Sequence, residues 1–96
     1  MEHIIKDNKL TIYLEGELNS FNSEQVEKDI DEILAKKGFN AIVLDTKKLK
    51  YISSAGLRIV ARLKQQYNDL QIINTPEDVY SILEMVGFTD EMKISK

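Results

Sequence analysis

Two adjacent hydroxyls carry the most suggestive chemistry in the chain: Ser53 and Ser54, in the run Ser53-Ser54-Ala55-Gly56-Leu57. The apolar residues that follow recur at helical spacing, so the pair stands at the head of a helix. The first amides of a helix have no intrahelical acceptor. One hydroxyl can therefore act as an N-cap, contributing about 1 kcal/mol. The same free amides, together with the helix dipole, favour a phosphate there. A serine in this place can be phosphorylated without unfolding the domain, which adds roughly −1.5 to −2 charges at one spot. Arg58 follows Ser54 at a spacing that brings it toward such a phosphate. Nucleophilic catalysis fits less well. A serine hydrolase needs a base and a group to orient it, but the only imidazole is His3, and no G-x-S-x-G elbow is present. Glu15 and Glu17 could share acid–base work, although a solvated strand end explains them more simply. Asp45 closes a short apolar run, where a carboxylate ordinarily accepts from the amides of the next loop. No glycine-rich phosphate loop or metal-ligand cluster occurs. With no cysteine, thiol nucleophiles, thiolate metal sites and disulfides are excluded. The expectation is a protein that is not an enzyme and needs no cofactor or metal.

Composition narrows the partners. Ninety-six residues suffice for a single domain spanning 1–96. With 43% apolar and 30% charged residues the chain reads as globular rather than disordered. A net charge of −3 argues against binding nucleic acid by phosphate neutralisation. The longest apolar run is Ala41–Leu44, far short of a membrane span or a signal-peptide core. A small cytoplasmic module, monomeric and free of membrane and nucleic acid, is expected.

The elements that must position the serines follow from periodicity. Residues 2–6 and 9–15 read as a hairpin turning at Asp7-Asn8, with Leu10, Ile12 and Leu14 on one face. Gly16 is expected to break the second strand. A helix follows, capped by Asn22 with Gln25 or by Ser23; its stripe is Val26, Ile30, Ile33 and Leu34, and Gly38 ends it after Lys36 and Lys37. Ala41–Leu44 has the form of a strand buried on both sides. A lysine-rich loop (Lys47, Lys48, Lys50) then leads through Tyr51 and Ile52 to the serines. The second helix runs to about Asn68 with Leu57, Val60, Ala61 and Leu63 inward. Residues 70–73 form a strand, Thr75 caps a third helix with Pro76 and Asp78, Gly87 ends it, and a weak strand covers 91–94. The fold class is α/β: a mixed β-sheet with helices mainly on one side, in the order β-β-α-β-α-β-α. Ile30, Val60, Leu63 and Leu83 are expected to be buried.

Several of these landmarks, in this order, resemble the STAS domain of bacterial anti-sigma factor antagonists. Leu14-Glu15-Gly16-Glu17-Leu18-Asn19 is similar to that family's G-E-L-D segment, with Asn19 where Asp is usual. Ile42-Val43-Leu44-Asp45, followed by Leu49 and Tyr51, is similar to its central strand and the approach to its phosphorylation loop. Ser53–Leu57 resembles the D-S-[S/T]-G-L signature, and Leu83–Phe88 the C-terminal L-x-x-x-G-[L/F] segment. The resemblance covers nearly the whole chain. It implies a switch that binds an anti-sigma factor when unphosphorylated. The partner is then also a serine kinase that inactivates the antagonist, and a phosphatase reverses the mark. Aligned on Gly56-Leu57, the acceptor is Ser54, with Ser53 at the family's aspartate and Ala55 at its second Ser/Thr. Ser53 is the second choice of acceptor. Because loops after neighbouring strands of an α/β layer gather at one edge, the expected partner surface comprises Glu17, Asn19, Ser20, Phe21, Ser53, Gly56 and Arg58, with Arg62 exposed beside it and Phe21 as its apolar anchor. The alternative is a scaffold or transport-complex subunit of the same fold that is never phosphorylated.

Overall fold

The computed structural model describes residues 1–96. In chain order the elements are β1 (His3–Lys6), β2 (Lys9–Leu18), α1 (Ser23–Leu34), β3 (Ala41–Ile52) and α2 (Ser54–Gln66). Then come β4 (Gln71–Ile73), α3 (Glu77–Met85), a 3₁₀ turn (Phe88–Asp90) and β5 (Lys93–Ile94). Asp7 and Asn8 make the β1–β2 turn, both at positive φ (54° and 65°), as the twist of a two-residue hairpin demands.

The five strands lie in sequence order, β1-β2-β3-β4-β5. β1 is antiparallel to β2, and each later pair is parallel. Three right-handed crossovers stepping in one direction deliver their helices to the same face of the sheet. The core agrees with that geometry. Leu10 pairs with Ile42, Ile12 with Leu44, and Leu44 with Ile72, so these side chains share one face. Ile30 and Ile33 of α1, Val60 and Leu63 of α2, and Val79 and Leu83 of α3 join them in one hydrophobic cluster. Ile30, Val60, Leu63 and Leu83 are all 2% exposed or less. Val43, on the opposite face of β3, is buried as well, as expected of that run.

The local differences from the sequence reading have physical causes. Gly16 does not break β2; it sits inside the strand at φ 73°, a conformation glycine adopts without strain, beside a break in register. The lysine-rich stretch is not a loop. β3 continues through it to Ile52 and stays paired to β2 by inserting an extra residue twice. Thr75 does not cap α3. Its amide bonds to the Ser95 carbonyl at 3.0 Å, and its buried hydroxyl faces that of Thr46 at 3.4 Å, so the cap position falls to Pro76. α1 stops at Leu34 with Lys36 and Lys37 beyond its last turn, and α2 stops at Gln66.

Arg62 also departs from expectation. It is not a free surface cation but clasps α2 to α1. Its Nε donates to Glu27 at 2.8 Å and an Nη donates to Asp31 at 2.9 Å. The hydrogen bond to Asp31, helped by the charges of Asp31 and Glu27 and the hydrogen bond to Glu27, raises the guanidinium pKa above its ordinary value against the opposing effect of burial. A raised folded value means this contribution is complete below the unfolded pKa and is lost only in strong alkali, so it adds no slope to stability near neutrality. All three groups are partly exposed, so Arg62→Ala is expected to cost only about 0.5–1 kcal/mol. Melting curves at low salt and at 1 M salt check this. The gap between wild type and variant should shrink at high salt, where screening acts over about 3 Å; a gap independent of salt would assign the loss to packing.

Candidate functional site

Parallel pairing of β2 with β3 brings the two candidate segments together. Glu17 lies opposite Tyr51 and Leu18 opposite Ile52, so the chain leaving β2 and the chain entering α2 start side by side. The Ser53 amide donates to the Leu18 carbonyl at 2.8 Å and closes that junction.

The turn after β2 is built by two asparagines. Asn19 Oδ1 accepts from the amides of Phe21 (2.9 Å) and Asn22 (3.1 Å). Asn22 Oδ1 accepts in return from the Asn19 amide at 2.9 Å. Asn22 Nδ2 also donates to the Glu17 carbonyl at 2.7 Å, and Asn19 Nδ2 to a Glu17 carboxylate oxygen at 3.2 Å. Asparagine suits both places because it offers acceptor and donor on one short side chain. The same engagement explains why Asn22 gives α1 no side-chain cap. Gln25, its expected partner, donates to Asp29 instead. This reciprocal pair makes a rigid turn whose apex, Ser20 and Phe21, is exposed; Phe21 is 97% exposed. An aromatic ring held in water by a fixed backbone is prepared to bury its area against another surface at little entropic cost.

The two serines divide their tasks. Ser53 is the N-cap of α2, in extended conformation, and its Oγ accepts from the Gly56 amide at 3.5 Å. Ser54 is the first helical residue and is exposed, and its hydroxyl makes no hydrogen bond within the protein. α2 has no acidic residue in its first turn, so no like charge on the helix opposes an anion there. Arg58, one turn on, is exposed and makes no ion pair.

Gly56 is buried beneath this junction. A Cβ built on it would stand 2.7 Å from Leu18 Cγ and 2.8 Å from Ile52 Cγ1. Its part is to let α2 sit down on the ends of β2 and β3, so it acts on the surface through packing rather than by contact. The turn from Glu17 to Asn22 thus starts beside the strand end that leads into Ser53 and Ser54, with Arg58 one helical turn further along α2, whereas Arg62 belongs to the α1–α2 clasp. Two contributors escaped the sequence reading. Asn22 was assigned to the helix, although the Asn-x-x-Asn spacing is the signal for a reciprocal turn. Tyr51, which the sequence marks only as part of the approach to the serines, is half-exposed beside Glu17.

Comparison with known proteins agrees with this architecture. The chain is 37% identical over 86 residues to BtrV of Bordetella bronchiseptica, an anti-sigma factor antagonist by name, covering 85% of this chain and 73% of that one. An anti-sigma factor antagonist of Thermotoga maritima superposes with a TM-score of 0.87 at 22% identity, covering 99% of this chain and 85% of that one. SpoIIAA of Bacillus, solved both unphosphorylated and phosphorylated, superposes in its unphosphorylated form with a TM-score of 0.78 at 17% identity, covering 99% and 87%. The STAS domain model matches residues 1–96 from end to end, and the chain belongs to the STAS domain family.

Proposed function

We propose that this protein is an anti-sigma factor antagonist, a binding module whose grip on an anti-sigma factor is released by phosphorylation of Ser54. What supports this reading most is the division between the two serines. Ser53 is occupied as a cap, whereas Ser54 is exposed and unbonded one residue away, at the junction that also carries Phe21. The kinship with BtrV supports the partner class. In this reading the Glu17–Asn22 turn and the start of α2 form the contact surface in the cytoplasm. The anti-sigma factor is also the serine kinase that marks Ser54, and a phosphatase restores binding. No step of chemistry belongs to this chain itself beyond offering the hydroxyl.

Incubation with a cognate anti-sigma kinase and ATP, followed by mass spectrometry, tests the assignment. The mark should fall on Ser54. A mark confined to Ser53 would move the acceptor by one residue, and no mark at either serine beside an active, bound kinase would point to an unphosphorylated scaffold.

Phe21 gives a second measurement. Phe21→Ala removes an aromatic ring that buries almost nothing within the fold, so its melting temperature should match wild type. As an interface anchor its loss should weaken binding by about 2 kcal/mol, roughly 30-fold. Calorimetric titration that found affinity unchanged would remove the turn from the surface.

A further inference from the structure

We infer that Lys47, Lys48 and Lys50 form a second docking strip, which receives an acidic segment of a protein partner. The strip is created by the irregularity of β3. In a regular strand Thr46, Lys48, Lys50 and Ile52 would share one face, and lysines would alternate into the core with Thr46 and Ile52. The two inserted residues change that period to three. Thr46, Leu49 and Ile52 turn inward, and Lys47, Lys48, Lys50 and Tyr51 are all exposed.

None of these lysines has a partner. The cations that pair in this protein are Arg62, with Glu27 and Asp31, and Lys96, with Glu77 at 3.1 Å. Glu15 stands opposite Lys48 in register and still makes no ion pair with it. All three lysines line one wide groove of about 790 Å³, completed by Glu15, Gly16, Leu49, Pro76 and Asp78. Beside them β3 lacks a strand partner on one side, where Pro76 and Asp78 at the start of α3 face the groove. β4 accompanies it only from Val43 to Asp45, so from Lys47 onward the strand is paired on the β2 side alone. An extended segment can lie along such an edge while its carboxylates meet the ammonium groups.

Charge selects the occupant. On a chain of net charge −3 this is a local reversal of sign. Three lysines, with Glu15 and Asp78 beside them in the groove, fall short of the six to ten phosphate contacts of a strong nucleic-acid binder and suit a ligand of few, spaced carboxylates. A membrane surface would gain about 1 kcal/mol per lysine, with no apolar insertion to hold it. An acidic protein segment of low charge density fits best.

The test is an NMR titration of the ¹⁵N-labelled full chain with a ten-residue peptide of alternating glutamate and glycine at low ionic strength. Shifts should concentrate at residues 47–51. The triple variant Lys47→Glu, Lys48→Glu, Lys50→Glu should bind about tenfold more weakly or worse, as loss of three exposed charge pairs implies. The neutral Lys→Gln triple variant should fall between the two. Phe21→Ala should leave the peptide response intact, so this strip stands or falls separately from the anti-sigma surface. Shifts absent from 47–51 would overturn it. So would an unchanged affinity in the charge-reversed variant, or an equal response to a twenty-residue oligothymidylate or to phosphatidylglycerol vesicles.

Discussion

Ser54→Asp, and phosphorylation of Ser54 to a greater degree, should weaken binding to an anti-sigma factor by about 150-fold while the melting temperature stays at or slightly above wild type; the figure corresponds to about 3 kcal/mol. The two halves of that result come from one location. Within the fold, an anion on the first residue of α2 meets free amides and the positive end of the helix dipole, worth about 0.3–1 kcal/mol. No acidic residue of that turn opposes it, and Ser54 is exposed, so nothing need be desolvated. Across an interface the same charge must lose water or face partner carboxylates, and a dianion has no cheap way to do either. Ser54→Ala should bind as wild type and be insensitive to the kinase. Titration calorimetry beside thermal melts separates the two halves. A fall in melting temperature of 10 °C or so for Ser54→Asp, about 1–2 kcal/mol in a domain of this size, would mean that the charge disrupts the fold rather than the contact.

Gly56→Ala should destabilise the protein by about 1–2 kcal/mol, although the same change in an exposed helix position would stabilise it by up to about 1 kcal/mol. Its new methyl would stand 2.7 Å from Leu18 Cγ and 2.8 Å from Ile52 Cγ1, and both belong to buried side chains, at carbons close to the backbone with little freedom to retreat. Overpacking therefore outweighs the gain in helix propensity. At about 4–8 °C per kcal/mol, the melting temperature should fall by roughly 5–15 °C. Because Leu18 carries the Asn19–Asn22 turn and its carbonyl holds the Ser53 amide, the strain falls on the proposed contact surface too. A double-mutant cycle with Leu18→Ala locates the cause: the pair should lose less than the sum of the single losses, because shortening Leu18 gives the methyl room. A Gly56→Ala protein as stable as wild type would show that α2 can lift off the strands at no cost.

Sequence alone determined the order of the elements, the one-sided core and the head of α2, because each depends on signals a few residues long. The alternation of Leu10, Ile12 and Leu14, the helical stripe through Val60 and Leu63, and a serine ahead of a helix are local patterns that tertiary packing reinforced. The resemblance to the STAS signature rested on the same short segments. Tertiary structure decided the rest. Gly16 and the lysines of β3 look like chain breakers and loop residues in isolation, but pairing with β2 kept both strands running, since a ladder can absorb an extra residue where a sequence pattern cannot show it. Thr75 has the spacing of a cap, yet its hydroxyl is buried against that of Thr46, twenty-nine positions away. Arg62 read as surface until α1 supplied two carboxylates. The junction belongs to the same class: the end of β2, which leads into the Phe21 turn, and the end of β3, which leads into Ser53 and Ser54, meet only because β2 and β3 lie parallel and adjacent, a long-range pairing that neither segment encodes by itself.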